Sequence, residues 1–252
     1  LPRPVVGKAW RMAIMENGDV RIHYEERGEG FPVLAFAPGG LQSAIEWWSA
    51  APWDVPDALA GDHRVVLMDQ RNAGESWAPV GPDDGWDSYT DDHLALLDHL
   101  GIERCHLVGM CIGGSFIANL IRRAPERVAS AVVLQPIGLD GNRELFHGTF
   151  ADFAEQQGEK HPETSESDWR SFRNHLYGAD HVLFSVPDEA VATFEVPLLV
   201  FAGGDEPHPA SASSMLADVA PNATLVERWK AAEYTEAARE SIANFLAVHT
   251  PA

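Results

Sequence analysis

The sequence predicts an α/β protein: a doubly wound, mostly parallel sheet of eight strands, with a helical insertion after the sixth strand. Three observations lead there. Short, continuous apolar runs such as residues 32–36 (PVLAF), 63–68 and 128–135 alternate with helical patterns, and parallel strands buried on both faces read as uninterrupted apolar runs. One such run, residues 106–110, passes through a single Cys flanked by glycines, Gly109-Met110-Cys111-Ile112-Gly113-Gly114, directly into a helical pattern. From residue 136 to about residue 187, apolar density falls and helical spacing takes over, with the aromatics Phe146, Phe150, Phe153, Trp169, Phe172, Tyr177 and Phe184 spread through it.

In chain order, residues 11–15 and 20–26 read as two strands, and Asn17-Gly18 between them is a strong hairpin signal. The third strand, 32–36, ends in Ala37-Pro38-Gly39-Gly40-Leu41, a glycine-rich loop able to present unobstructed backbone N–H groups. Trp47, Trp48 and Trp53 follow within seven residues. Indoles so close together either line a pocket or plug the core; Trp47 and Trp48 are the candidates for a pocket wall. The fourth strand, 63–68, runs into the polar turn Asp69-Gln70-Arg71-Asn72-Ala73-Gly74-Glu75-Ser76. Residues 89–100 read as a helix with Leu94, Leu97 and Leu100 on one face and Gly101 as its stop.

The elbow strand comes next, and then a helix over 112–124 that Pro125 ends. After the 128–135 strand, residues 137–187 are expected to form a helical cap between two segments of one core, 1–136 and 188–252. Residues 196–202 (VPLLVFA) are the seventh strand, and Gly203-Gly204-Asp205-Glu206-Pro207-His208-Pro209 is the loop after it. A short helix over 210–219, a strand over 223–227 and an amphipathic helix over 234–248, with Ile242, Phe245 and Leu246 inward, complete the chain.

The chemistry is expected at Cys111. A nucleophile on a tight strand-to-helix turn needs small neighbours, which Gly109 and Gly113 provide. The N–H of Ile112 would point at a substrate carbonyl oxygen as one half of an oxyanion hole; the Gly39–Leu41 loop (Gly39, Gly40, Leu41) would supply the other half. The N-terminus of the following helix favours thiolate over thiol.

Composition narrows the function. Eighteen Lys and Arg against 38 Asp and Glu give a net charge of −20, which argues against nucleic acid or an anionic membrane as partner. No apolar run is long enough to span a bilayer. Residue 1 onward shows no basic-then-apolar leader pattern, and the two cysteines, Cys105 and Cys111, are too far apart on one strand to bond, so a reducing cytoplasm is the expected compartment. The 11 histidines are scattered without metal-ligand spacing, so neither metal nor cofactor is expected. The expected partner is a small apolar substrate; a homodimer is possible.

Several motifs resemble the α/β-hydrolase superfamily over nearly the whole chain. They are Pro38-Gly39-Gly40 after the third strand, Asp69 to Ser76 as the family's D-x-R-x-x-G-x-S turn, Gly109 to Gly114 at the elbow, and Gly204-Asp205 after the seventh strand. The resemblance implies Cys111 as nucleophile, where Ser is usual, and Asp205 as the acid. It also implies a His after the last strand, but residues 222–248 contain none. Two replacements offer themselves. His208 lies three residues after Asp205 on the same loop, and His93 lies near the start of its helix, where it could face either the pocket or the core. The expected reaction is hydrolysis of a small apolar ester, thioester or lactone, with His208 as base, Asp205 behind it, and Trp47, Trp48, His93 and Phe146 around the pocket. With no working base, the chain would instead be a ligand-binding protein on the same fold, or an acyltransferase or lyase.

Overall fold

The sheet starts with the expected hairpin. Arg11–Asn17 (β1) and Val20–Arg27 (β2) pair antiparallel, with Asn17 opposite Val20. The turn is Gly18-Asp19, one residue later than expected, because Gly18 is the residue that takes a left-handed φ of 60°. The structure, a computed structural model, describes residues 10–251; the first nine residues and the last, which fall within the expected core segments, lie outside the described residues.

Six further strands follow: Pro32–Phe36 (β3), Arg64–Met68 (β4), Cys105–Met110 (β5), Val128–Leu134 (β6), Leu198–Phe201 (β7) and Ala223–Val226 (β8). Their spatial order is β1-β2-β4-β3-β5-β6-β7-β8. The β1–β2 and β2–β4 pairs are antiparallel, and every pair from β4 to β8 is parallel. All residues of β5 and β6 are buried, as their unbroken apolar runs require.

The helices are Val55–Leu59 (α1), Trp86–His99 (α2), Gly113–Arg123 (α3), Arg143–Gly158 (α4), Glu166–Tyr177 (α5), Asp188–Val191 (α6), Ala210–Val219 (α7) and Ala232–His249 (α8). Helix α2 starts three residues before the expected Tyr89. Gly85 N–H donates to Ser88 Oγ at 3.3 Å, which satisfies a terminal donor and fixes the earlier start. On α8, Ile242 and Leu246 are buried as expected, whereas Phe245 is only half-buried.

Alternate strand residues feed two apolar layers, because successive side chains leave a strand on opposite faces. Val33, Ala35, Val108, Met110, Val132 and Leu134 pack on one side with α1, α8, Trp48 and Trp229. Leu34, Phe36, Leu107 and Val133 pack on the other with α2 and α3. Phe146, Phe150, Phe153, Phe172 and Tyr177, from the segment between β6 and β7, belong to this second layer.

Buried hydrogen bonds tie that segment down. Ser115 Oγ donates to Leu183 O and Ser185 Oγ to Ser115 O, both at 2.8 Å. Trp86 Nε1 donates to Leu176 O at 2.8 Å, and Gln157 Nε2 to Asn72 O at 2.9 Å. Each such bond contributes roughly 1 kcal/mol net, and losing one partner costs more because the other is left buried and unpaired. Because β3, β5, β6 and β7 are parallel, the loops after all four open at one edge of the sheet, where ligands of open α/β sheets bind.

Candidate active site

Cys111 is the apex of the turn between β5 and α3. Its φ is 61°, a left-handed conformation that costs a non-glycine residue about 1–3 kcal/mol and persists only where surroundings impose it. They do so from both sides. Cys111 N–H donates to Leu134 O at 3.0 Å, and Cys111 O accepts from Gly114 N–H and Ile137 N–H, both at 3.1 Å. The flanking glycines are sterically required. A Cβ on Gly109 would lie 2.8 Å from Gly113 O, and one on Gly114 would lie 2.6 Å from Pro136 Cβ. The thiol is partly exposed and opens into a cavity of about 500 Å³, well within the size range of small-molecule sites.

The loop after β7 brings the second group. His208 Nδ1–H donates to Asp205 Oδ1 at 2.5 Å, and His208 N–H donates to the same oxygen at 3.1 Å. The loop closes tightly: a Cβ on Gly203 would meet His208 O at 2.2 Å. The other ring nitrogen, Nε2, is buried without an oxygen or nitrogen partner. Its neighbour is the Cys111 sulfur.

The electrostatics of the two groups agree. Burial pushes the Cys111 thiol up, but His208, by hydrogen bond and charge, and the backbone amides of Gly39 and Ile112 together bring it below its ordinary value. Burial pushes the His208 imidazole down, but Cys111 and then Asp205 bring it above its ordinary value. Opposite shifts in adjacent groups favour a thiolate–imidazolium pair. Cys105, fully buried on β5, has its thiol pushed up to about 12 by burial and is an inert core residue.

The Gly39–Leu41 loop faces the elbow. Gly39 and Gly40 have φ of 118° and 60°, and Gly39, Gly40 and Leu41 all line the cavity. The loop is held from behind: Ser43 Oγ donates to Ala37 O at 2.7 Å and Ile45 N–H to Asp69 Oδ1 at 2.8 Å. Asp69 also accepts from Glu75 N–H at 2.9 Å and pairs with His23 Nδ1 at 2.8 Å. The polar turn after β4 thus serves as a buried brace for the oxyanion loop.

Not every expected pocket residue reaches the pocket. Trp47 and Phe146 line it. Trp48 and His93 do not, and both expectations are corrected here. Trp48 turns to the opposite side of the sheet and packs with Val55, Leu59 and Leu67. His93 is fully buried on α2, with its ring 4.4 Å from Phe36 and 5.3 Å from Phe116. Its Nε2 is 2.8 Å from Gln70 Oε1. Burial, and then the charge of Arg71, push its pKa down to about 3.

Residues of the helical segment complete the wall, Phe153 and Tyr177 among the aromatics that its sequence singles out and the others not. Helix α4 contributes Leu145, Thr149, Asp152, Phe153 and Gln156, and α5 contributes Tyr177. At one side Gln42 Nε2 donates to Gln156 Oε1 at 2.6 Å, joining the oxyanion loop to α4. The repeating i, i+3, i+4 spacing of these α4 residues was visible in the sequence; which face it turned to the cavity was not. After β8, where the superfamily resemblance implied a His, Trp229 is buried instead. Its Nε1 donates to Ala202 O at 2.8 Å and its ring packs against Phe201 and Trp53. Among the described residues no group of His, Cys, Asp and Glu could hold a metal ion, and no helix is long and apolar enough to cross a membrane.

Comparison with known proteins gives the family. The family model described as alpha/beta hydrolase fold matches residues 32–231. The 2-hydroxy-6-oxo-6-phenylhexa-2,4-dienoate hydrolase of Comamonas testosteroni is 32% identical over 121 residues, 48% of this chain and 42% of the relative. Carboxylesterase YbfK of Bacillus subtilis (strain 168) is 33% identical over 106 residues, 42% of this chain and 34% of the relative. The match thus spans less than half the length of these curated relatives. In structure, the enol-lactonase from Burkholderia xenovorans LB400 superposes with a TM-score of 0.68 at 20% identity, covering 93% of this chain and 100% of that one. That likeness is one of fold. The chain belongs to the α/β-hydrolase fold family.

Proposed function

We propose that this protein is a hydrolase of small apolar carboxylic esters, thioesters or lactones, with Cys111 as nucleophile, His208 as proton carrier and Asp205 as its anchor. The observation that carries the reading is the Asp205–His208 pair, bonded at 2.5 Å, whose unpaired Nε2 shares one cavity with Cys111. The hydrolases among its relatives support the reaction class.

The steps follow from the atoms present. The Cys111 thiolate attacks the substrate carbonyl carbon. A C–S bond forms and the carbonyl π pair moves onto oxygen, where Ile112 N–H and amides of Gly39, Gly40 and Leu41 receive it. Collapse breaks the bond to the leaving atom, which takes the bonding pair and a proton from His208 Nε2. The now neutral His208 accepts a proton from water as that water attacks the acyl thioester. The C–S bond breaks, the pair returns to sulfur, and the acid departs. Asp205 stays ionised and holds Nδ1–H throughout, which keeps Nε2 facing the sulfur. The wall of Leu41, Trp47, Ile137, Leu145, Phe146 and Phe153 favours an apolar acyl or alkyl group. In this reading α4 and α5 act as the cap of the site, within the 137–187 segment.

The test is rapid mixing with p-nitrophenyl butyrate. A stoichiometric burst of p-nitrophenolate and a butyryl mass increment on the Cys111 peptide are expected, both absent in Cys111→Ala. Turnover unchanged in Cys111→Ala overturns the reading. Tight binding of the ester with no burst assigns the cavity to ligand binding alone.

A further inference from the structure

Tyr177 has a hydroxyl that the fold itself does not use. The residue is the last of α5 and lines the same cavity as Cys111. Its ring is fixed on three sides, by Phe146 at 5.3 Å, Phe184 at 5.2 Å and Trp86 at 6.0 Å. Its backbone is fixed as well: Arg143 Nη1 donates to Tyr177 O, and Trp86 Nε1 donates to the preceding carbonyl, Leu176 O. Phe184, one of the ring contacts, holds a left-handed φ of 61°. Among the described residues nothing accepts the Tyr177 O–H. Tyr89, by contrast, buries its unpartnered hydroxyl away from the cavity.

An aromatic scaffold this constrained, on a residue that lines the cavity and carries an unused donor, points to a ligand acceptor atom. The amides of Ile112 and the Gly39–Leu41 loop come from the sheet side and take the carbonyl oxygen. Tyr177 comes from α5, outside the sheet and its loops. The ester atom that the sheet-side amides leave free is the bridging one, between the acyl carbon and the alcohol portion.

We infer that Tyr177 is a further catalytic residue: its O–H donates a hydrogen bond to the bridging oxygen of the substrate, so the substrate is an oxygen ester or lactone and not a thioester. This rests on the Cys111 hydrolase reading above and narrows its substrate class. As the C–O bond breaks, its electron pair moves onto the bridging oxygen and the proton arrives from His208. Tyr177 keeps its own proton, consistent with burial, and then the charges of Tyr89 and Cys111, raising its pKa well above the ordinary value. Thioester sulfur is a poor acceptor, so the same donor does little for a thioester.

The experiment compares the parent with Tyr177→Phe on ethyl butyrate and on S-ethyl thiobutyrate. For the oxygen ester, kcat is expected to fall by about 10- to 100-fold with KM little changed, since the bond strengthens as charge develops. For the thioester the change is expected to stay under about threefold, a loss of less than one ordinary hydrogen bond. The Tm is expected to hold, because the deleted hydroxyl bonds nothing in the fold. Equal losses on both substrates, or none on either, overturn the proposal. A parent that gives no p-nitrophenolate burst and no acyl-Cys111 fails the hydrolase reading itself. A normal burst with an unaffected Tyr177→Phe fails only the role of Tyr177.

Discussion

Two histidines flank the elbow, and they behave in opposite ways. His93 sits under the sheet face, between Phe36 and Phe116, with one neutral partner in Gln70. Burial and the nearby Arg71 cation drive its pKa to about 3. His208 sits on a loop with a carboxylate on one nitrogen and a thiol at the other, and its pKa rises although burial opposes the rise. Burial alone therefore does not make a base. A buried imidazole without a counter-charge is locked neutral, and one between a carboxylate and a sulfur can carry a proton at working pH.

That contrast makes predictions of decreasing size. Cys111→Ala is expected to lower ester turnover by at least about 10³-fold, read by steady-state release of p-nitrophenolate, while far-UV circular dichroism stays unchanged. His208→Ala is expected to cost about 10²- to 10³-fold in kcat, because the leaving group and the deacylating water both lose their proton carrier. Asp205→Asn should cost less, on the order of tenfold, since half of its side chain is exposed and water screens its charge; the kcat–pH profile should show the His208 inflection moving down. His93→Phe should leave kcat and the thiol titration in place. Its effect should appear in stability alone, about 1–3 kcal/mol by urea denaturation, because Gln70 loses its buried partner. An effect of His93→Phe on the thiol titration would erase the distinction between the two histidines.

Much of the fold was legible because apolar runs and helical periodicities are local. β3 matches its expected bounds at both ends, and the elbow was announced by glycines around one Cys. The antiparallel entry of β2 beside β4 was not legible, because strand order is set by long-range packing. The two adjacent indoles show the same limit within the site. Trp47 and Trp48 share composition and neighbourhood, and only the short helical turn at Ile45–Ala50 sends one to the cavity and the other to the core. The spacing of Asp205 and His208 did suggest a pair, since three residues within a turn bring side chains together. Tyr177 stands out in the sequence only as one of the aromatics of the helical segment; its place in the cavity depends on α5 packing against Phe146, Phe184 and Trp86. Trp229 is the counterpart: it fills the space after β8 with core packing, and the imidazole is supplied from the loop after β7.

The most direct measurement is the pH dependence of Cys111 alkylation by iodoacetamide in the parent and in His208→Ala. Alkylation requires thiolate, so its rate rises with pH through the thiol pKa and then levels. With His208 present the inflection is expected below the ordinary thiol value; without it, burial acts with less opposition and the inflection moves up. An inflection that is already high in the parent, or that stays low after His208→Ala, would contradict the Cys111–His208 pair and the chemistry built on it.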